Sequence, residues 1–309
     1  MIRLGLSSCL LGNNVRYDGL HKRDDFIADT LARYFEFVPL CPEVAIGMGV
    51  PRPPIQLVGD AKAPRARGVA DDTLDVTQAL SEYGQRMARE LGDISGYVFK
   101  SRSPSCGVDS VPLQGSAPRR GVRGIFAAAV MTALPHLPVA QEEDLGDPLR
   151  RENFLQRVLV YHRWQQLMLE GVSIARLVDF HTAHKLVVMA HGTEPYRRIG
   201  RLVAGAGRAD LGDLMSDYIR QLMAALTHRA TTKRHTNVLM HLMGYLKRQL
   251  PAADKAELLE VIHAYRLGRV PLLTPLTLLR QHFQQYPHTY VRRQFYLYPP
   301  MGEPYLDEL

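Results

Sequence analysis

The sequence predicts an α/β parallel-sheet N-terminal domain followed by an all-α C-terminal domain. Three observations carry this. From Ile2 to about Ala140, short apolar runs bounded by Gly and Pro alternate with helix-periodic segments, which is the βα alternation of a parallel sheet. Gln141-Glu142-Glu143-Asp144-Leu145-Gly146-Asp147-Pro148 is an acidic, turn-rich break. Beyond it the chain reads as helix almost throughout. The expected domains are 1–145 and 146–309.

Taken in order, Ile2-Arg3-Leu4-Gly5-Leu6 reads as a first strand. The loop from Ser7 to Gly19 is rich in Gly, Asn and Asp, turn formers that suit a ligand loop. Asp24 to Tyr34 has helical character and leads into a second strand, Phe35 to Leu40. The prolines and glycines of Gly47 to Pro54 exclude helix. Leu74 to Leu91 is periodic, with Leu80, Met87 and Leu91 on one side, and a strand over Ile94 to Phe99 follows. Gly124 to Leu134 with Pro138-Val139-Ala140 is expected to finish the sheet.

In the second half, Glu152 to Glu170 is a long helix ended by Gly171. Ser173 can cap the next, which stops at Gly192. Helices follow near Asp210–His228, Thr236–Leu250, Asp254–Leu267 and Pro275–Tyr286, before a Tyr- and Pro-rich tail ending at Leu309.

Charge is uneven along the chain. Residues 1–150 carry 17 Lys and Arg against 18 Asp and Glu, whereas residues 151–309 carry 21 against 13 and ten of the twelve histidines. A basic half behind a near-neutral one suggests an anionic partner, with nucleic acid foremost. No apolar run reaches the roughly 18 residues of a membrane span. The first residues turn polar too soon for a leader. A cytoplasmic, reducing setting is expected, with no membrane and no protein partner.

Cys9, Cys41 and Cys106 each follow a strand. In an open α/β sheet, ligands bind outside the carboxyl ends of the strands, so the three thiols are expected at one sheet edge. An odd, widely spaced set is no disulfide framework. Soft thiolates suit an iron–sulfur cluster or zinc, and spacing alone does not choose between them. Three unrelated buried thiols are the alternative.

The motifs Ser8-Cys9-Leu10-Leu11-Gly12 with Arg16-Tyr17-Asp18-Gly19, Cys41-Pro42-Glu43, Pro51-Arg52-Pro53-Pro54 and Ser103-Pro104-Ser105-Cys106-Gly107 cover most of residues 1–140. Together they resemble the thiouracil desulfurase family of iron–sulfur proteins. The second half is similar to the YbgA-like helical domain through Phe180 to Lys185, Met189-Ala190-His191 and Asn237 to Tyr245. Such fusions look like enzymes that remove sulfur from 4-thiouridine in tRNA.

The resemblance implies a [4Fe-4S] cluster on Cys9, Cys41 and Cys106, its fourth iron open to the sulfur of a thiolated uracil base. It implies Glu43 as the acid/base and Ser103 as a catalytic hydroxyl that orients substrate or water. Ser8, Arg52 and Ser101 are candidate substrate-binding residues. Against these stand plainer readings. Glu43 caps a turn, the loop hydroxyls satisfy backbone groups, Arg52 braces its Pro-rich loop, and Arg16 pairs with Asp18.

Candidate RNA contacts are Arg197, Arg198, Arg201, Lys233, Arg234, Lys247 and Arg248, with Arg292-Arg293 a further basic pair and Tyr196, Tyr245 and Tyr290 as stacking rings. A solvated helix face is the competing reading for any one pair. His181, His184 and His191 share a helical face and are expected as buried polar residues at a helix contact, or as rings stacking with RNA, rather than as metal ligands. Two functional alternatives remain at this point: desulfuration of free thiouracil or thiouridine, and a non-catalytic iron–sulfur redox sensor.

Overall fold

The computed structural model describes residues 1–114 and 122–299. Packing divides the chain into two units, the first running Met1–Gln165 and the second beginning at Gln166.

The first unit is built on a four-stranded parallel sheet. Its strands are β1 (Ile2–Ser7), β2 (Phe35–Leu40), β5 (Gly96–Phe99) and β6 (Val139–Gln141), in the order β2-β1-β5-β6. β1 pairs with β2 in the register Ile2↔Phe35 to Ser7↔Leu40, and with β5 from Leu4↔Gly96. The chain moves outward from β1 to β2, then resumes on the other side at β5. That reversal opens a crevice at the carboxyl ends of β1 and β5. Gly5 permits the close pairing there, since a Cβ on it would lie 2.2 Å from the Tyr97 ring. Tyr97 in turn stacks on Phe99 with centroids 3.9 Å apart.

A hairpin of β3 (Ile55–Asp60) and β4 (Ala63–Gly68) lies outside this sheet. The sequence reading did not foresee it, because Ala-Pro-Arg-Ala-Arg-Gly is a polar, Pro-containing run. Pro is tolerated in such a two-stranded edge. The helices are α1 (Pro42–Ala45), α2 (Thr77–Glu90), α3 (Ile125–Ala133), α4 (Glu142–Leu145) and α5 (Pro148–Leu169). The apolar segment from Gly124 is thus a helix, and only the stretch after Pro138 joins the sheet. α3 packs on α2 at Gly84, where an added Cβ would stand 2.7 Å from Ala129.

The expected helix over Asp24–Tyr34 is instead a π turn, Phe26–Thr30, followed by a 3₁₀ turn, Leu31–Arg33. Three aspartates and a threonine in so short a stretch are weak helix formers.

The second unit is helical: α6 (Ile174–His191), α7 (Thr193–Ala204), α8 (Leu211–Leu226), α9 (Thr232–Leu246), α10 (Ala252–Arg266), α11 (Leu273–Gln285) and α12 (Thr289–Arg292). Ser173 caps α6 by accepting from Arg176 N–H. α7 was not anticipated; it restarts directly after Gly192 with Pro195 in its first turn. Leu186, Val238, Leu239, Leu242, Leu258, Leu279 and Phe283 form its buried core with their neighbours. The tail beyond residue 299 lies outside the described residues. No helix among the described residues is long and apolar enough to cross a membrane.

His181, His184 and His191 are buried, as expected, and His191 Nδ1 lies 2.5 Å from the His228 carbonyl oxygen. His181 Nδ1 lies 3.2 Å from Tyr218 Oη, His184 Nδ1 is 2.7 Å from the Phe180 carbonyl, and His235 Nδ1 is 2.7 Å from Tyr296 Oη. Burial pushes the pKa of both His181 and His235 down to about 4. In the unfolded chain each titrates near 6.5, so between these values the unfolded state takes up more protons. Stability should therefore rise from pH 4 to about 6.5 and level off above. The loss below the window is up to about 3 kcal/mol per histidine. Denaturant midpoints measured from pH 4 to 7 check this, and the slope should shrink in His235→Phe.

Candidate active site

Each cysteine is presented by a distinct local device at the carboxyl end of its strand. β1 runs into a 3₁₀ turn, Ser8–Leu11, closed by Gly12 at φ +92°. The Cys9 carbonyl accepts from Gly12 N–H at 3.3 Å and from Lys22 N–H at 3.0 Å, which folds the first loop back over it. Cys41 is the N-cap of α1, with Pro42 in the first turn. Its carbonyl accepts from Ala45 N–H at 3.0 Å, and its sulfur lies 3.5 Å from the Val15 carbonyl oxygen.

Cys106 lies in the loop after β5, where Arg102 adopts φ +57° and Gly107 N–H donates to the Ser103 carbonyl at 2.8 Å. This loop is clamped to the start of α3 by Ile125 N–H to Pro104 and Ala127 N–H to Ser105, each 3.0 Å. Gly124 makes the clamp possible. A Cβ there would stand 2.5 Å from the Ser105 carbonyl.

The three thiols line one cleft of about 470 Å³, together with Ser8, Arg16, Tyr17, Lys22, Glu43, Arg52, Lys100, Ser101 and Ser103. Burial raises all three pKa values. Cys9 goes to about 11, with the neighbouring Cys41 adding to the effect. Cys41 is also raised, and Cys106 lies well above the usual thiol value. At neutral pH they are therefore thiols and poor nucleophiles, and a positive metal centre is what would make ligating thiolates of them.

Among the described residues no three His, Cys, Asp or Glu side chains are gathered for a single ion. Cysteines that bind different irons of a cluster stand apart, with the inorganic core between them. A second feature fits such a group. Tyr97 is wholly buried in the packed cluster that includes Cys106, and its phenol has no hydrogen-bond partner among the described residues. A buried O–H without a partner costs about 1–3 kcal/mol, so this phenol wants an acceptor, and Cys106 is the thiol packed in its cluster.

Glu43 is held from two sides. Ser105 Oγ donates to Oε1 at 2.7 Å, and Arg52 donates from Nε to Oε2 at 2.8 Å. The side chains of Arg52 and Glu43 are 3% and 13% exposed. Arg52 also donates to the carbonyls of Val15 at 2.9 Å and Gly49 at 3.0 Å, and its Nη2 lies 3.9 Å from the Cys41 sulfur. Its donors are thus engaged in bracing Glu43 and the surrounding loops rather than free for a phosphate.

Ser103 Oγ accepts from the N–H groups of Cys106 at 3.1 Å and Ser105 at 3.3 Å. It shapes the cysteine loop, and its own proton remains to be directed into the cleft. Ser8 Oγ accepts from Asn13 Nδ2 at 2.8 Å. Ser101 donates to Glu142 Oε1 at 2.7 Å, and its N–H donates to Oε2 at 2.7 Å. Lys100 Nζ bonds to Glu142 and to Ser101 Oγ. Arg16 Nε lies 3.5 Å from Asp18.

Sequence reasoning missed Lys100, Ser105 as the partner of Glu43, and Glu142. The last sits in the acidic stretch read as a boundary. Its signal was the acidic first turn of a capped helix: Gln141 and Asp144 form a capping box on α4. The candidate RNA contacts belong to the second unit. Arg197, Arg198 and Arg201 are exposed on α7, Lys233 and Arg234 open α9, and Lys247 and Arg248 follow its end.

A model of the 2-thiouracil desulfurase family matches residues 4–142, and one described as a protein of unknown function, DUF1722, matches residues 185–300. The chain is 32% identical over 151 residues to the uncharacterized protein YbgA of Escherichia coli K12, covering 48% of this chain and 89% of that one. It is 29% identical over 151 residues to the uncharacterized protein YbbK of Bacillus subtilis 168, covering 47% and 98%. A solved structure described as the [4Fe-4S]-dependent thiouracil desulfidase TudS shares 27% identity over 47% of this chain and 94% of its own, with a TM-score of 0.36.

Proposed function

The chain belongs to the family in which a 2-thiouracil desulfurase domain precedes a YbgA-like DUF1722 domain, and on that premise we propose that it removes sulfur from 4-thiouridine in tRNA. The carrying observation is the cleft itself. Three thiols from the ends of three neighbouring parallel strands face a carboxylate fixed by Arg52 and Ser105. Cys9, Cys41 and Cys106 would hold a [4Fe-4S] cluster. When bound, it supplies a Lewis-acidic iron for the thiocarbonyl sulfur.

The overall change is C=S plus water to C=O plus hydrogen sulfide, with no net redox. Water must lose protons as the C–O bond forms, and the departing sulfide must gain them. Glu43, fixed by Arg52 and Ser105, would shuttle them at its carboxylate oxygens. Ser103 can donate its hydroxyl proton to the base or to the water. Lys100, anchored by Glu142, places a positive charge near Cys9, favouring the anionic thiolate there. Within tRNA, the target base has to leave its stack to reach this cleft, at a cost of a few kcal/mol.

The test is anaerobic reconstitution with iron and sulfide, then incubation with 4-thiouridine-containing tRNA while the thiouridine absorbance is followed. Loss of that absorbance is expected. Turnover of free 4-thiouridine with intact tRNA would move the substrate to the free nucleoside. No turnover of either would overturn the proposal.

Tyr97→Phe tests the cluster reading apart from turnover. Hydrogen bonds to the sulfurs help set the potential of an iron–sulfur centre. Removing this buried phenol, which has no partner among the described residues and packs in the cluster of Cys106, should make the midpoint potential of the reconstituted protein more negative. An unchanged potential would place the phenol outside the cluster's reach.

A further inference from the structure

Tyr245 and Tyr290, on separate helices of the second unit, bring their rings together, Tyr196 on a third packs against the same core as Tyr290, and each is followed closely by a pair of cations. Tyr196 on α7 precedes Arg197-Arg198, Tyr245 near the end of α9 precedes Leu246-Lys247-Arg248, and Tyr290 on α12 precedes Val291-Arg292-Arg293. The Tyr245 and Tyr290 rings lie 5.3 Å apart with an interplanar angle of 37°, and His288 lies 4.7 Å from Tyr245. Burial, with the Tyr245 and Tyr196 phenols close by, holds the Tyr290 pKa above its usual value. Tyr196 and Tyr290 are anchored against the core, while Tyr245 is 38% exposed. Buried His288 Nδ1 has no hydrogen-bond partner among the described residues.

The cations beside these rings divide into two sets. Arg198 is engaged by both Glu194 oxygens and by Gln221, and Arg293 is paired with Asp179. Arg197, Arg201, Lys247, Arg248 and Arg292 are exposed and carry no ion pair among the described residues. A solvated helix face does not bring together rings from two helices. Aromatic faces set among unpaired cations are what a flexible nucleic-acid strand requires, the rings taking bases and the cations phosphates.

We propose that this cluster is the stacking platform on which the second unit holds a looped or single-stranded stretch of RNA. A base lies on Tyr245, and the backbone phosphates meet the unpaired cations beside the rings. This rests on the reading of tRNA as substrate. Lys233 and Arg234 fall outside the platform, because they begin α9 about 18 Å from Tyr245 at 1.5 Å per residue, and Arg234 is turned toward the Arg229 carbonyl.

The experiment titrates full-length protein with tRNA at several salt concentrations, and assays desulfuration of free 4-thiouridine by the same variants. Tyr245→Ala should bind tRNA roughly 5- to 100-fold more weakly, and Tyr245→Phe should bind as the parent does. Lys247→Gln with Arg248→Gln should flatten the slope of log K against log salt by about 1.4. Lys233→Gln with Arg234→Gln should change the slope less. Turnover of the free nucleoside should be unchanged throughout. If the parent protein binds no tRNA, the substrate reading fails and the platform with it. If it binds and Tyr245→Ala binds equally well, the platform alone is overturned.

Discussion

Serine in place of Cys9, Cys41 or Cys106, one at a time, is expected to abolish desulfuration and the iron–sulfur chromophore of the reconstituted protein. Groups that merely support metal ligands typically contribute about 10- to 100-fold, and removing a ligand should exceed that. The fold should survive, because each cysteine is held by backbone interactions that do not use its sulfur. The Cys9 carbonyl ties the first loop, and the Cys106 loop is clamped to α3 through main-chain groups. Iron and sulfide content, with the circular dichroism of the apoprotein, separates the two effects. Full activity in any one variant would remove that thiol from the site.

Glu43→Gln is expected to lower kcat by roughly 10²–10⁴-fold, the range for a lost general acid/base, while iron content stays at the parent level. The substitution also leaves Arg52 buried beside a neutral partner. Breaking a buried pair costs about 3–5 kcal/mol, so the midpoint of unfolding should fall as well. Glu43→Gln combined with Arg52→Met distinguishes the two losses: stability should largely return and activity should not. Activity that returned with stability would make Glu43 a structural partner of Arg52. Loss of iron from Glu43→Gln would instead make it a support for the cluster.

The local parts of the site were legible in the sequence. Short apolar runs ending in Cys-containing loops gave parallel strands with thiols at their carboxyl ends, and the observed order places β2, β1 and β5 side by side. Glu43 stands two residues after Cys41, so its neighbourhood followed from chain connectivity. Gly192 ended α6 as expected because Gly tolerates a helix stop, but the same glycine hid α7, which begins one residue later. The hairpin escaped because β4 is a polar, Pro-containing run, and the segment from Asp24, read as a helix, took π and 3₁₀ form instead.

What the sequence determined by itself was thus the alternation of elements, the shift to helix, the basic second half, and the strand-end cysteines. These are properties of single segments. The tertiary structure alone decided which side chain meets which: Ser105 reaches Glu43 across 62 residues, and Glu142 reaches Ser101 across 41. It turned Arg52 inward, left the Tyr97 phenol without a partner among the described residues, and drew Tyr245 and Tyr290 together. The physical reason is that periodicity records which face of a segment is buried, whereas hydrogen-bond and ring partners depend on the packing of segments far apart in the chain.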